Sequence, residues 1–174
     1  MNIHLLIVHF PIAFLTFYAV AEIVPIRRLR TSIAWHHIKT VILGVGFASA
    51  LLALATGDGA EQMVGRSQLT ELHSSFAALS TVIFGVALLI YLIIFINKFW
   101  GLVIFERFGI GEAGVGRMLV QVVDVATKIQ RSWCMALLAL VGLCAITITG
   151  ALGGAIAYGS EIDPFVKFIY SLFF

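Results

Sequence analysis

The stretch IHLLIVHFPIAF (residues 3–14) places two histidines, His4 and His9, and a proline, Pro11, inside a run otherwise suited only to an apolar medium. Burying an imidazole in such a medium is costly unless it finds a partner. The rest of the chain identifies the medium. Of 174 residues, 61% are apolar and 11% charged, and the mean hydropathy is +1.06. A soluble domain is about half apolar and about a quarter charged. The chain therefore reads as an integral membrane protein forming one domain over residues 1–174. Its formal charge of +2 is too small to suggest a nucleic-acid partner.

A spanning helix needs about 20 predominantly apolar residues, and four segments qualify: 3–25, 35–56, 69–97 and 133–158. The alternative, a closed barrel, needs alternating segments of about ten residues, which the sequence lacks. The expectation is an all-α, four-helix membrane bundle. The start has neither the basic region nor the small-residue cleavage site of a secretory signal, so the first segment is expected to stay as an anchor.

Charge sets the expected orientation. Arg27, Arg28, Arg30, Lys39, Lys98, Arg107, Arg117, Lys128 and Arg131, nine of the eleven basic residues, fall on one side. The other side has Arg66 and Lys167 among Asp58, Glu61, Glu71, Glu161 and Asp163. The positive-inside rule makes the first side cytoplasmic. Both termini then face outward, in a multi-pass protein of the inner (cytoplasmic) membrane. Residues 117–130 carry Met118, Val122, Val125 and Ile129 at helical spacing opposite Gln121, Asp124 and Lys128. They predict a cytoplasmic amphipathic helix lying on the bilayer or capping the bundle. The aromatic tail DPFVKFIYSLFF (163–174) is too short to span, and is expected along the outer interface or against a partner.

Several features carry less. GIGEAGVG (109–116) contains a literal G-x-G-x-x-G, but that fingerprint needs a preceding strand and a βαβ unit. Here it reads as a loop. Cys134 and Cys144 form no C-x-x-C motif and are expected to fill the core. Gly142, Gly150, Gly153 and Gly154 on the fourth segment, with Gly44 and Gly46 on the second, suit close helix packing in lipid or room for a flat cofactor.

The histidines divide by depth. His36 and His37 stand at the cytoplasmic start of the second helix, where histidines are ordinary interfacial residues. His9 and His73 each lie on the order of 5 to 10 Å below the outer start of a helix, at about 1.5 Å per residue. His4 lies nearer the surface, rotated from His9 by about 140°. Three answers account for the outer imidazoles. One is haem, with His9 and His73 as axial ligands, space at Ala13 and Ala77, and Arg66 as the cation for a propionate. Another is a divalent metal on His4, His9, His73 and a carboxylate such as Asp58 or Glu61. The third is hydrogen bonding alone, to carbonyls or to hydroxyls such as those of Ser74 and Ser75.

Four motifs resemble one bacterial family: IHLLIVHFPIAF, ATGDGAE (55–61), ELHSSFAAL (71–79) and GALGGAIAYG (150–159). The family is the predicted four-helix membrane proteins of domain of unknown function 2231, and V-H-F-P is the most specific element. The resemblance runs to about Asp163. It implies histidines gathered near the outer face in a small b-type-cytochrome-like protein, matched here by His4, His9 and His73. It also implies electron transfer between membrane quinol and an outer cytochrome or other redox protein. Members often carry a histidine after the fourth helix where this chain reads Tyr158-Gly159-Ser160, which argues against a second haem.

The expected function is therefore one-electron transfer by a single bis-histidine haem b on His9 and His73. His4 supports or substitutes for them, and the chain serves as a subunit or partner of a respiratory assembly. Asp58 or Glu71 would take protons from a quinol. The alternatives are a non-redox structural or assembly subunit and an outer-side divalent metal-binding protein.

Overall fold

The structure, a computed structural model, describes residues 3–24, 32–108 and 115–174, without the side chains of 99–108 and 115–116. Pro25, Arg27, Arg28, Arg30, most of the glycine-rich loop and the Arg107 side chain lie outside the described residues. Every regular element among the described residues is a helix: α1 (Ile3–Ile7), α2 (His9–Ile23), α3 (Ile33–Val64), α4 (Gln68–Phe108), α5 (Val115–Arg131), α6 (Trp133–Tyr158) and α7 (Pro164–Ser171). Four stretches are long and apolar enough to cross a membrane: Ile3–Ile23, Ile33–Val64, Gln68–Lys98 and Trp133–Tyr158.

Local chemistry sets the helix ends. Ser67 caps α4 in a reciprocal pair, its backbone N–H donating to Thr70 Oγ1 (2.8 Å) and its Oγ accepting from Thr70 N–H (3.2 Å). Asp163 caps α7 by accepting from the N–H groups of Phe165 and Val166, with Pro164 in the first turn, where its missing N–H costs nothing. Gly65 and Gly159 close α3 and α6 at φ 91° and 93°, a region open to glycine. Pro11 cannot donate to the Ile7 carbonyl, and a turn at Val8 separates α1 from α2. The bonds Val8 N–H to His4 O and Ile12 N–H to Val8 O carry the chain through that turn.

α2 packs on α3 and α6, and α4 packs on the same two, so α2 and α4 stand on one diagonal of the bundle. Across that diagonal Tyr18 meets Phe84 and Tyr91 edge-on, at 6.1 and 5.8 Å between ring centroids. With Leu15, Leu43 and Met135 these rings form the fully buried centre. A second cluster seats α7, its Val166 and Ile169 against Ala151, Leu152 and Ala155 of α6. Phe173 also meets Phe76 of α4 edge-on, so the aromatic tail docks on its own bundle.

At several glycines a neighbouring side chain fills the space a Cβ would take. A Cβ on Gly46 would stand 2.6 Å from Leu15 Cδ2 and 3.1 Å from Phe14 Cβ, one on Gly142 2.8 Å from Phe84 Cζ, and one on Gly153 3.1 Å from His73 Cε1. Cys134 and Cys144 are both exposed, which corrects the expectation of core filling. The outward faces are apolar, with Val41, Leu52, Val82 and Leu89 exposed, as lipid contact requires. On α5, Ala126 is buried, with Val123, Thr127 and Gln130 half-buried, while Met118, Val122, Val125 and Ile129 are exposed.

Gly46→Val should destabilise the bundle by about 1–3 kcal/mol through overpacking, read as a lower unfolding midpoint in detergent. Gly59→Ala, where a Cβ meets nothing within 4 Å, should be neutral or raise stability by up to about 1 kcal/mol.

Candidate functional site

Polar chemistry is concentrated at the two ends of the bundle. At the acidic end, the His73 Nδ1 lies 3.0 Å from the carbonyl oxygen of Thr149, joining α4 to α6. A carbonyl only accepts, so Nδ1 carries the proton and Nε2 is the unprotonated nitrogen, the form in which imidazole ligates a metal. Gly153 makes this seat available, since any side chain there would press on the ring.

His4 is half-buried, its Nδ1 3.0 Å from Thr56 Oγ1 on α3. The Thr56 hydroxyl spends its proton on the carbonyls of Leu52 or Ala53, so Oγ1 accepts from the imidazole. The His4 ring also lies within electrostatic reach of His73. His9 is exposed, and its Nδ1 donates to the Leu5 carbonyl at 2.7 Å, one turn back on its own helix. Ala13 shares that exposure. The expected arrangement, His4 at the surface and His9 inward, is therefore reversed in rotation, and the histidine turned toward α3 and His73 is His4.

Arg66, proposed for a propionate, is exposed, and its Nε donates to Glu71 Oε1 at 2.8 Å. That hydrogen bond and the carboxylate charge raise the guanidinium further above its ordinary value. Asp58 is exposed, and Ser74 and Ser75 hydroxyls bond the Glu71 carbonyl rather than a histidine. Among the described residues no three His, Cys, Asp or Glu side chains come together as a metal site. The multi-ligand metal centre of His4, His9, His73 and a carboxylate is thus not assembled.

The basic end holds a network with no counterpart in the sequence reading. Glu22 of α2, Lys39 of α3 and Tyr91 of α4 converge: Lys39 Nζ donates to Glu22 Oε2 at 2.7 Å, and Tyr91 Oη donates to the same oxygen at 2.6 Å. The two charged side chains are 9% and 8% exposed, a depth at which charges persist only when paired. Lys39 also lies 5.4 Å from the Tyr91 ring centroid, and His36 stacks on that ring at 4.8 Å. The buried Tyr18 hydroxyl, one turn before Glu22, faces Tyr91 without a well-formed hydrogen bond among the described residues. Beside the network opens a cavity of about 670 Å³ between the ends of α2, α3, α4, α5 and α6.

Lys39 counted toward topology as an interfacial base, and Glu22 drew no notice. A signal was available in principle. A lone acid inside one apolar helix and a lone base inside the next are each expensive in hydrocarbon unless they meet.

Lys39→Met should destabilise the protein by about 3–5 kcal/mol by stranding the Glu22 carboxylate, measured as a loss of folded yield and a lower melting point in detergent. The pair Glu22→Gln with Lys39→Met should recover most of it, because no buried charge is left unmatched.

No curated protein and no solved structure matches the chain at a significant level. The sequence model of DUF2231, described as a predicted membrane protein, matches residues 1–163. With four apolar helices long enough to span and that match over most of its length, the chain belongs to the DUF2231 family of predicted membrane proteins.

Proposed function

We propose that the chain is a multi-pass protein of the cytoplasmic membrane that holds one haem b near the outer end of its bundle and exchanges single electrons there. The observation that carries this reading is the fixed tautomer of His73. The Thr149 carbonyl holds the Nδ1 proton and leaves Nε2 as the ligating nitrogen, an arrangement typical of metal-bound imidazoles. A bound haem would supply reversible one-electron chemistry on its iron.

The donor set fits such a group. His73 would hold it from α4, and His4, turned toward α3 and within electrostatic reach of His73, would be the second residue to hold it in preference to His9. For His9 to serve, its side chain must leave the exposed face and the Leu5 carbonyl. The chain's own groups set the protein side of the site: Gly153 seats the His73 ring, Thr149 orients it, and Thr56 orients His4. Arg66 and Glu71 form an exposed ion pair beside the cap of α4.

Orientation follows from charge. Lys98, Lys128 and Arg131 lie at one end of the bundle and Arg66 and Lys167 at the other, so the basic end is cytoplasmic and both termini face outward. The exposed apolar stripe of α5 then rests on the inner leaflet. An outer-side redox protein or a respiratory assembly is the partner class, with quinol as a further donor. Asp58 is the exposed carboxylate for its protons, Glu71 being held by Arg66.

A second reading is favoured by one observation. His4 to Thr56 and His73 to Thr149 already join helices through protein oxygens alone, as a non-redox structural subunit would need.

Absorption spectroscopy separates the two. Protein purified from haem-sufficient cells should show a Soret band that shifts on dithionite reduction. A colourless preparation overturns the haem reading and leaves the structural one. In coloured protein, His73→Ala and His4→Ala should each abolish the band and His36→Ala should keep it. Loss in His9→Ala with retention in His4→Ala would make His9 the second ligand.

A further inference from the structure

Among the described residues, the cavity at the basic end is lined by three cations, Lys39, Lys98 and Arg131, and one acid, Glu22. Lys39 and Glu22 neutralise each other in their 2.7 Å ion pair. Among the described residues Lys98 and Arg131 form no ion pair, so two positive charges stand around a space of about 670 Å³, a volume in the range of small-ligand sites. His36 also lines it. The His36 Nε2 is buried and makes no hydrogen bond among the described residues, which in a protein interior marks a place for an absent partner. Lys98 acts electrostatically on that imidazole, so the unsatisfied nitrogen and the free cation share one region.

Trp35 and Trp133 complete the wall. Tryptophan concentrates where hydrocarbon meets headgroups, and both stand within the first turn of a candidate span, on α3 and α6. The ligand is thus anionic at one end, rich in hydrogen-bond acceptors, and apolar enough to sit beside two indoles, Ile33 and Ile94.

We infer that this cavity is a binding site for a phosphate-bearing anion. Lys98 and Arg131 neutralise the phosphate, and His36 Nε2 donates to one of its oxygens. The phosphate of an anionic phospholipid in the adjacent leaflet and a soluble phosphate present the same chemistry. Basic pockets between spanning helices are suited to such headgroups. A quinone fits less well, because it carries no charge to answer Lys98 and Arg131, and the Glu22 carboxylate is already taken by Lys39 and Tyr91. The site is separate from the proposed haem. Tyr91 lies eighteen residues beyond His73 on α4, about 27 Å along the helix.

The test uses the full chain in neutral detergent, in a Trp100→Phe background so that fluorescence reports Trp35 and Trp133. Short-chain phosphatidylglycerol, phosphatidylcholine of the same chains and inorganic phosphate are titrated separately, with retained lipid counted by native mass spectrometry. Phosphatidylglycerol should saturate at one per chain and bind about tenfold or more tightly than phosphatidylcholine. Lys98→Gln with Arg131→Gln should weaken it by at least about tenfold. Lys128→Gln, which removes an exposed lysine paired with Asp124, should not. Saturation by inorganic phosphate that displaces the lipid assigns the site to free as well as lipid-borne phosphate, and silence toward it assigns the site to the lipid. Equal binding of the two lipids, or unchanged binding in the double variant, overturns the inference.

Discussion

The carboxylate of Glu22 is the point on which the bundle turns. Its Oε2 takes a proton donor from Lys39 on α3 and another from Tyr91 on α4, so one oxygen joins three helices. Four apolar helices in lipid gain little from burying hydrocarbon against one another, because the lipid tails are equally apolar. What selects one arrangement is the cost of the wrong ones. Any rotation of α2 that carries Glu22 out of reach of Lys39 leaves two charges in hydrocarbon. Any slide of α4 by a turn removes Tyr91 from both. The close contacts follow from that register: Leu15 against Gly46, Tyr18 against Phe84, and Phe84 into the notch at Gly142.

At the opposite end the connections are weaker and neutral. His4 ties α1 to α3, and His73 ties α4 to α6. The bundle is thus held by an ionic clasp at one end and by imidazole bonds at the other, with aromatic and small-residue packing between. The division has a chemical logic. A buried carboxylate that takes two donors on one oxygen gives firmness by joining three helices. An imidazole that spends one nitrogen on structure keeps the other for coordination.

The spans were legible because hydropathy over twenty residues is an additive property. Rotation was not legible. His4 and His9 stand about 140° apart around a helix, so only one can face inward. Depth favoured His9, whereas the bond to Thr56 turns His4 in, and the turn at Val8 leaves His9 to its own Leu5 carbonyl. The glycines showed the same limit from the other side: the sequence marks where space exists, but the residue that fills it comes from a different helix. Cys134 and Cys144, apolar and inside a span, gave no sign of facing outward, since in a membrane protein both the core and the exterior are apolar. Glu22 and Lys39 escaped for a related reason. Each lies near the end of its span, where a charged residue ordinarily reaches water, and only the fold makes them neighbours.

The unequal lengths of the helices have a topographic consequence. Beyond Thr56, α3 runs on for eight residues to Val64, and beyond Thr149, α6 runs on for nine to Tyr158, about 12 and 14 Å at the helical rise. α4 starts five residues above His73, about 8 Å. The imidazoles of His4 and His73 therefore lie about 8 to 14 Å short of the ends of α3, α4 and α6 at that end of the bundle.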